Sequence, residues 1–339
     1  MVEDVFLGKV EMGETDEEKY LGDIVSKDGR NIKNIQARVN KGKGIVKRIV
    51  EILEGIPFGK LYYQVAIILR NTLLVSSILC NSEAWFNVTK SELELIETVD
   101  LMLLRSLLGA PKSVPKEMFY LELGVLPLRE MIKQRRLNFL HYILAQESTS
   151  IISQVFQTQN ENPSKKDWIS TVKTDLEDLE LNVTFENIKK LRKEKWKCIV
   201  RNTIQTKTFK KLQSLKQTHS KVRDLEHLRL EMQDYLMPNM IDKTSKEETQ
   251  LIFRIRSQVI NVKMNMKSQY DTFECSICHK EDESQNHIYE CKETLKMKNC
   301  EIERPKFEEI MTGDVHGKIK VARLFKENLK IFEQKKTKT

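Results

Sequence analysis

A mostly helical fold, opening on a short β-hairpin and closing on a small cysteine–histidine module, is what this sequence predicts. Three observations carry that expectation. Glycine (12) and proline (7) are scarce in 339 residues, which favours long helices over turn-rich sheets. Beyond residue 30, apolar residues recur at helical spacing over most of the chain. Near the end, CSICHKEDESQNHIYEC gathers three of the six cysteines and two of the six histidines into 17 residues, 275–291.

Residues 1–30 read as short strands. VEDVFLGKVEM alternates weakly, and EKYLGDIVSKDGRN has a strand-like core followed by a turn at Lys27, Asp28 and Gly29. NIKNIQARVNKGKGIVKRIVEILEG places Ile32, Ile35, Val39, Ile45, Ile49 and Ile52 near helical spacing. Gly42 and Gly44 are expected to split it into two helices, and Gly55 with Pro57 to end it. KLYYQVAIILRNTLLVSSILCNSEAWF is apolar on most sides and reads as a buried central helix over 61–80. In TKSE, Thr89 and Glu92 form a capping box that opens a helix running to about Leu108, before Gly109 and Pro111. PKEMFYLELGVLPLREMIKQRRLNFLHYIL gives a short helix, a turn at Gly124 to Pro127, and an amphipathic helix to about Leu144.

The polar stretch QTQNENPSKKD reads as linker, and a second break falls near 237–246. A helix containing FRIRSQVINVKMNMK then leads into the Cys/His module, and a last amphipathic helix covers about 317–333. The expected organisation is a hairpin (1–30), a helical domain (31–148), a linker (149–167), a basic helical region (168–247), a helix with the Cys/His module (248–300), and a closing helix and tail (301–339).

Charge is unevenly spread. The net charge is +8, yet residues 188–223 hold 13 Lys/Arg against one acid, Glu194, so this block carries +12 and the rest of the chain −4. One strongly basic stretch on a mildly acidic chain points to a localised polyanion contact, the alternative being a solvated lysine-rich helix face. Trp196 and Phe209 lie among these cations; they either stack on bases or, as the helical pattern favours, pack inward. No apolar run reaches membrane-spanning length, and the first residues lack the basic-then-apolar layout of a secretory signal. An intracellular protein, nuclear or cytoplasmic, with reduced thiols and no membrane partner is therefore expected.

In that setting the cysteines point to metal rather than disulfides. Cys275 and Cys278 form a Cys-x2-Cys pair; His287 and Cys291, four apart, share one side of a helical turn. C-x2-C-x8-H-x3-C supplies three thiolates and an imidazole, a set suited to one tetrahedral, structural Zn²⁺ with no open position. His279 and Cys300 are poorer alternative ligands, and Cys80 and Cys198 read as core cysteines.

Several segments, taken in order, resemble the C-terminal portion of non-LTR (LINE-type) retrotransposon reverse transcriptases. Tyr20, Leu21 and Gly22 match that family's Tyr-Leu-Gly hairpin beyond the palm, and Arg38 its following helix. Glu83, Ala84 and Trp85 fit its thumb segment; Glu122-Leu123-Gly124, Pro127 and Arg135-Arg136-Leu137 fit the helices after it. Arg256, Asn265 and the four Cys/His ligands fit its closing CCHC zinc knuckle. The resemblance covers about 1–145 and 250–295; residues 150–235 share only a basic, helical character.

The resemblance implies a hairpin that supports a primer end, a thumb-like helical bundle that cradles duplex, RNA or DNA partners of low sequence specificity, and one structural zinc. Cations serve such backbone contacts: Lys41, Lys43, Lys47 and Arg48; Lys189, Lys190, Arg192, Lys193, Lys197, Arg201, Lys210 and Lys211; and Arg256, read either as a phosphate clamp or as half of a structural ion pair. Polymerase chemistry needs paired carboxylates for Mg²⁺, and no two aspartates are adjacent anywhere in this sequence. The expectation is a fragment inactive on its own, with Mg²⁺ relevant only if an upstream palm is supplied. The competing reading is a helical scaffold protein with a structural zinc site.

Overall fold

The computed structural model describes residues 6–7, 10–11, 15–20, 22–59, 61–164, 166–215, 230–237, 244–266, 269–296 and 304–336. It is mostly helical, with short antiparallel strand pairs at the N-terminus. β1 (Phe6–Leu7) pairs with β2 (Val10–Glu11), and β3 (Glu17–Tyr20) with β4 (Asp23–Ser26). At the hairpin's end Tyr20 stands opposite Asp23, and Gly22 takes the left-handed φ of +90°. The turn expected at Lys27 to Gly29 follows β4 and is closed by Gly29 N–H donating to Ser26 O at 2.9 Å.

The helices are α1 (Ile32–Glu54), α2 (Tyr62–Leu69), a π-helical turn (Arg70–Val75), α3 (Ser76–Ile78), α4 (Lys90–Leu108), α5 (Lys116–Leu123), α6 (Leu128–Leu144), α7 (Ile151–Glu161), α8 (Trp168–Asp178), α9 (Phe185–Lys190) and α10 (Lys193–Ser214). Then come α11 (Lys246–Arg256), α12 (Gln285–Glu290), α13 (Lys292–Lys296), α14 (Glu309–Thr312) and α15 (Val315–Lys336). Contacts divide the chain into two compact units: residues 1–45, 73–99 and 128–201 form one; 46–72, 100–127 and 202–339 the other.

In the first unit, α1 is continuous where a break at Gly42 was expected. A side chain there would press on Val99 and Ile78, so this glycine permits close packing and ends nothing. The capping box stands as read: Thr89 N–H donates to Glu92 Oε2 (2.7 Å) and Glu92 N–H to Thr89 Oγ1 (3.3 Å). Buried arginines join the elements. Arg38 pairs with Asp23, which also accepts from Asn34 Nδ2 at 2.8 Å, so α1 holds the hairpin; Arg38 also lies 5.4 Å from the Trp85 ring centre. Partial burial works against ionisation of Asp23, but hydrogen bonds from Asn81, Arg38 and Asn34 keep it below its ordinary value. Arg136 Nε donates to Trp85 O (3.2 Å), and its Nη1 pairs with Asp175 of α8. The segment expected as a linker thus holds α7 and borders α8, capped by Ser150 and Asp167. Proline and polar residues there mark the short 162–167 stretch between two helices.

In the second unit, Arg70 donates two hydrogen bonds to Asp100, at 2.6 and 2.7 Å, with both side chains buried. The apolar stretch 61–80, whose residues 61–72 belong to this unit and 73–80 to the first, is not buried all round: Ile68 is 58% and Leu73 40% exposed, while Tyr63, Ala66, Leu74 and Ile78 are covered. Its helix is broken into α, π and α turns, which rotate its faces away from one regular register. Phe119 of α5 stacks on Phe253 of α11, ring centres 5.5 Å apart.

Gly124 ends α5 with φ +64°, and a Cβ there would collide with the backbone of Glu231 and Met232. Gly124→Ala should therefore destabilise the protein by at least about 2 kcal/mol, combining left-handed strain with backbone displacement. Urea denaturation reads this; an unchanged midpoint would mean that the 231–232 backbone does not pack there.

Candidate metal centre

The centre is built in the second unit from one strand-like turn and one short helix. Glu274 and Asp282 form an isolated antiparallel bridge, tightened by Cys275 N–H to Glu281 O and Glu283 N–H to Phe273 O, both 2.7 Å. The loop between them carries Cys275 and Cys278. Amides of Ile277 and Cys278 donate to Cys275 Sγ at 3.4 Å, which suits a sulfur bearing negative charge. His279, at φ +53°, turns the chain away. Ser284 then caps α12 by accepting from His287 N–H at 3.0 Å, which places His287 in the first turn and Cys291 just past the last.

Cys275, Cys278, His287 and Cys291 converge as the spacing predicts, all four donor atoms within 4.8 Å of one another. A tetrahedral ion with sulfur bonds near 2.3 Å spaces its donors roughly 3.3–3.8 Å apart. Cys278 Sγ and His287 Nε2 are already at 3.3 Å, and the widest pair closes by about 1 Å to fit. Cys275, His287 and Cys291 are buried and Cys278 is half-buried. Three thiols and an imidazole turned on one point could hold a metal ion. Burial pushes the Cys275 thiol up to about 12. Burial also opposes ionisation of Cys278, yet the amides of Lys280 and Glu281 and bonds to Cys275 and His287 bring it down to about 7.

The chain matches no family model, no curated protein and no solved structure.

The module is tied into its unit. Gln285 donates from Nε2 to Ile255 O (3.1 Å) and accepts from Ile260 N–H and Asn265 Nδ2, both 3.3 Å. Asn328 of α15, fully buried, donates to Ile288 O and Tyr289 O at 3.0 Å. The helix expected to run through FRIRSQVINVKMNMK stops at Arg256; Gln258 adopts φ +53° and the chain turns into the centre through Lys263–Asn265.

Arg256 is not a phosphate clamp. Its guanidinium is fully buried, bound to the Glu122 carboxylate at 2.9–3.2 Å and to the carbonyls of Ile310 (2.8 Å) and Met311 (2.7 Å). Burial works against its charge, but Glu122 beside it holds the pKa above the ordinary arginine value. The structural alternative named from the sequence is the one the geometry favours. Nothing in the sequence named Glu122 as its partner, 134 residues away.

The other cations are exposed: Lys41, Lys43, Lys47 and Arg48 on α1, Lys189 and Lys190 on α9, Arg192 between, and Lys193, Lys197, Arg201, Lys210 and Lys211 on α10. Trp196 points inward, its Nε1 donating to Leu137 O at 2.8 Å. Tyr20 and Gly22 are exposed on the hairpin; Leu21 lies outside the described residues, as does Cys300. Cys80 and Cys198 are exposed and do not sit in the core, Cys80 in the turn after α3 and Cys198 on the outer face of α10. Among the described residues no helix is long and apolar enough to cross a membrane.

Proposed function

We propose that this chain is the part of a non-LTR retrotransposon reverse transcriptase that lies beyond the catalytic palm, and that it binds RNA or DNA through backbone contacts while one Zn²⁺ braces its C-terminal module. The observation that carries the binding is the cation row of α10. Trp196, Val200, Ile204, Thr208 and Leu212 recur every fourth residue and are buried. Lys193, Lys197 and Arg201 form a parallel row, exposed, on the same helix. At 1.5 Å rise per residue, successive cations stand about 6 Å apart along the axis, a spacing at which a polyphosphate chain can engage several together.

Two further observations support the origin. Glu122 and Arg256, from two separately resembling segments, meet as one buried pair. Arg38, matched by its place after the Tyr-Leu-Gly hairpin, holds that hairpin through Asp23. Zinc is the metal that three thiolates and one imidazole without a carboxylate ligand suit best. The acidic stretch at 281–283 is a poor phosphate surface, which leaves the module a bracing role. Because the sequence contains no adjacent aspartate pair, the contribution of this chain is binding and positioning, with Mg²⁺-dependent chemistry belonging to a palm it would serve.

Binding should weaken steeply with salt and show little base preference. Each lost phosphate contact lowers the slope of log K against log salt by about 1. Substituting Lys193, Lys197 and Arg201 together by glutamine should lower it by about 2–3 while leaving the circular dichroism spectrum unchanged. Filter binding across a salt series measures this; a flat response in the native protein would reject nucleic-acid binding and favour the scaffold reading.

A further inference from the structure

We infer that Glu281 is a positioning residue for the metal, holding His287 from behind so that Nε2 is the atom offered to the ion. This rests on the metal reading above and adds a role that ligand spacing does not contain. His287 presents its two ring nitrogens to different partners: Nε2 lies 3.3 Å from Cys278 Sγ, inside the cluster, and Nδ1 lies 3.0 Å from Glu281 Oε2. A neutral imidazole has one N–H. A carboxylate at Nδ1 draws that proton there, which leaves the Nε2 lone pair for a cation and fixes the ring plane.

The loop supplies a rigid base for this contact. Cys275 N–H binds Glu281 O at 2.7 Å, so the backbone that carries the carboxylate is bonded to a ligand residue. Two residues on, buried Glu283 accepts from Ser276 Oγ (2.6 Å) and Ser276 N–H (3.2 Å), bracing the turn between the two cysteines. The acids at 281 and 283 thus face the two halves of the ligand set. Asp282, between them, is exposed, and its backbone alone takes part in the bridge to Glu274.

That alternation separates positioning from charge. Glu281 is 73% exposed as a side chain, so the contact adds little to folding by itself; its effect belongs on metal affinity, where a hydrogen-bonding partner of a ligating histidine is worth about 10–100-fold. The test uses the full chain, Zn²⁺ in competition with a chromophoric chelator, and Co²⁺ absorption as the geometry readout. Glu281→Ala should weaken Zn²⁺ binding at least tenfold and broaden the Co²⁺ bands. Glu281→Gln, whose amide oxygen can still accept from Nδ1–H, should recover part of the loss. Asp282→Asn removes the same charge one residue away and should match the native protein. If Asp282→Asn weakens binding as much as Glu281→Ala, the loop acts by charge alone and the inference fails. It fails also if Glu281→Ala binds like the native protein, whereas a native protein that takes up no metal overturns the metal reading together with it.

Discussion

Arg256→Ala will lower the stability of the second unit by about 3–5 kcal/mol, because it strands a buried carboxylate. Glu122 is fully buried and is held by the Arg256 guanidinium and by the Tyr235 hydroxyl, which donates to Oε2 at 2.6 Å. Removing the arginine also takes the donor from Ile310 O and Met311 O. Arg256→Lys should recover little of the loss, since an ammonium cannot reach a carboxylate and two carbonyls with one planar fork. Replacing Arg256 and Glu122 together by Met and Leu should cost clearly less than the sum of the single changes, the signature of coupled partners. Urea unfolding provides the stabilities. The same variants check the buried pair against the phosphate-clamp reading that it displaces. A phosphate clamp would show native stability and a salt slope lower by about 1; the buried pair predicts the reverse, a weakened fold whose residual native fraction binds with an unchanged slope.

What was legible in the sequence follows from the range of the interaction that encodes it. The capping box at Thr89 and Glu92, the end of α4 at Gly109 and the convergence of Cys275, Cys278, His287 and Cys291 depend on residues a few positions apart, and all are present as read. Gly42 illustrates the limit: glycine marks a helix end by its backbone freedom and a close helix crossing by its missing side chain, and only the neighbours Val99 and Ile78 tell the two apart. Arg256 is the same case for charge. An arginine on an amphipathic helix looks alike whether it faces phosphate or a carboxylate 134 positions earlier in the chain. At the centre, the candidate ligands were legible and Glu281 was not, because a loop rich in acids reads as surface until one carboxylate is seen against Nδ1 of His287. The resemblance to reverse transcriptases aligned Glu122 and Arg256 separately, without the contact that joins them.

Removing the proposed zinc should unfold the module and loosen what it braces. Without an ion, the regular structure of residues 269–296 amounts to one isolated bridge, a six-residue helix and a five-residue helix, joined to the rest of the unit through Gln285 and Asn328. Helices that short are unstable alone, and a segment of this size cannot bury a sufficient core. Structural zinc sites contribute on the order of 10 kcal/mol of folding free energy, so binding and folding of such a module occur together. The loss should spread along identifiable contacts. Gln285 would release Ile255 O and the Ile260 amide, and the buried amide of Asn328 would lose the carbonyls of Ile288 and Tyr289. Elemental analysis should find about one zinc per chain, consistent with a single Cys3His cluster. After chelation, or in Cys291→Ser, hydrogen exchange should rise by orders of magnitude at 273–291 and measurably at 255–265 and around Asn328, with the amides of α6 and α8 as internal reference. Unchanged exchange in the first segment would show that hydrogen bonds alone fold the module. A rise confined to it, with 255–265 still protected, would show that the centre stabilises only itself; the double anchoring by Gln285 and Asn328 argues for the wider loss, because a buried amide left without its carbonyls costs about 1–3 kcal/mol wherever it stays.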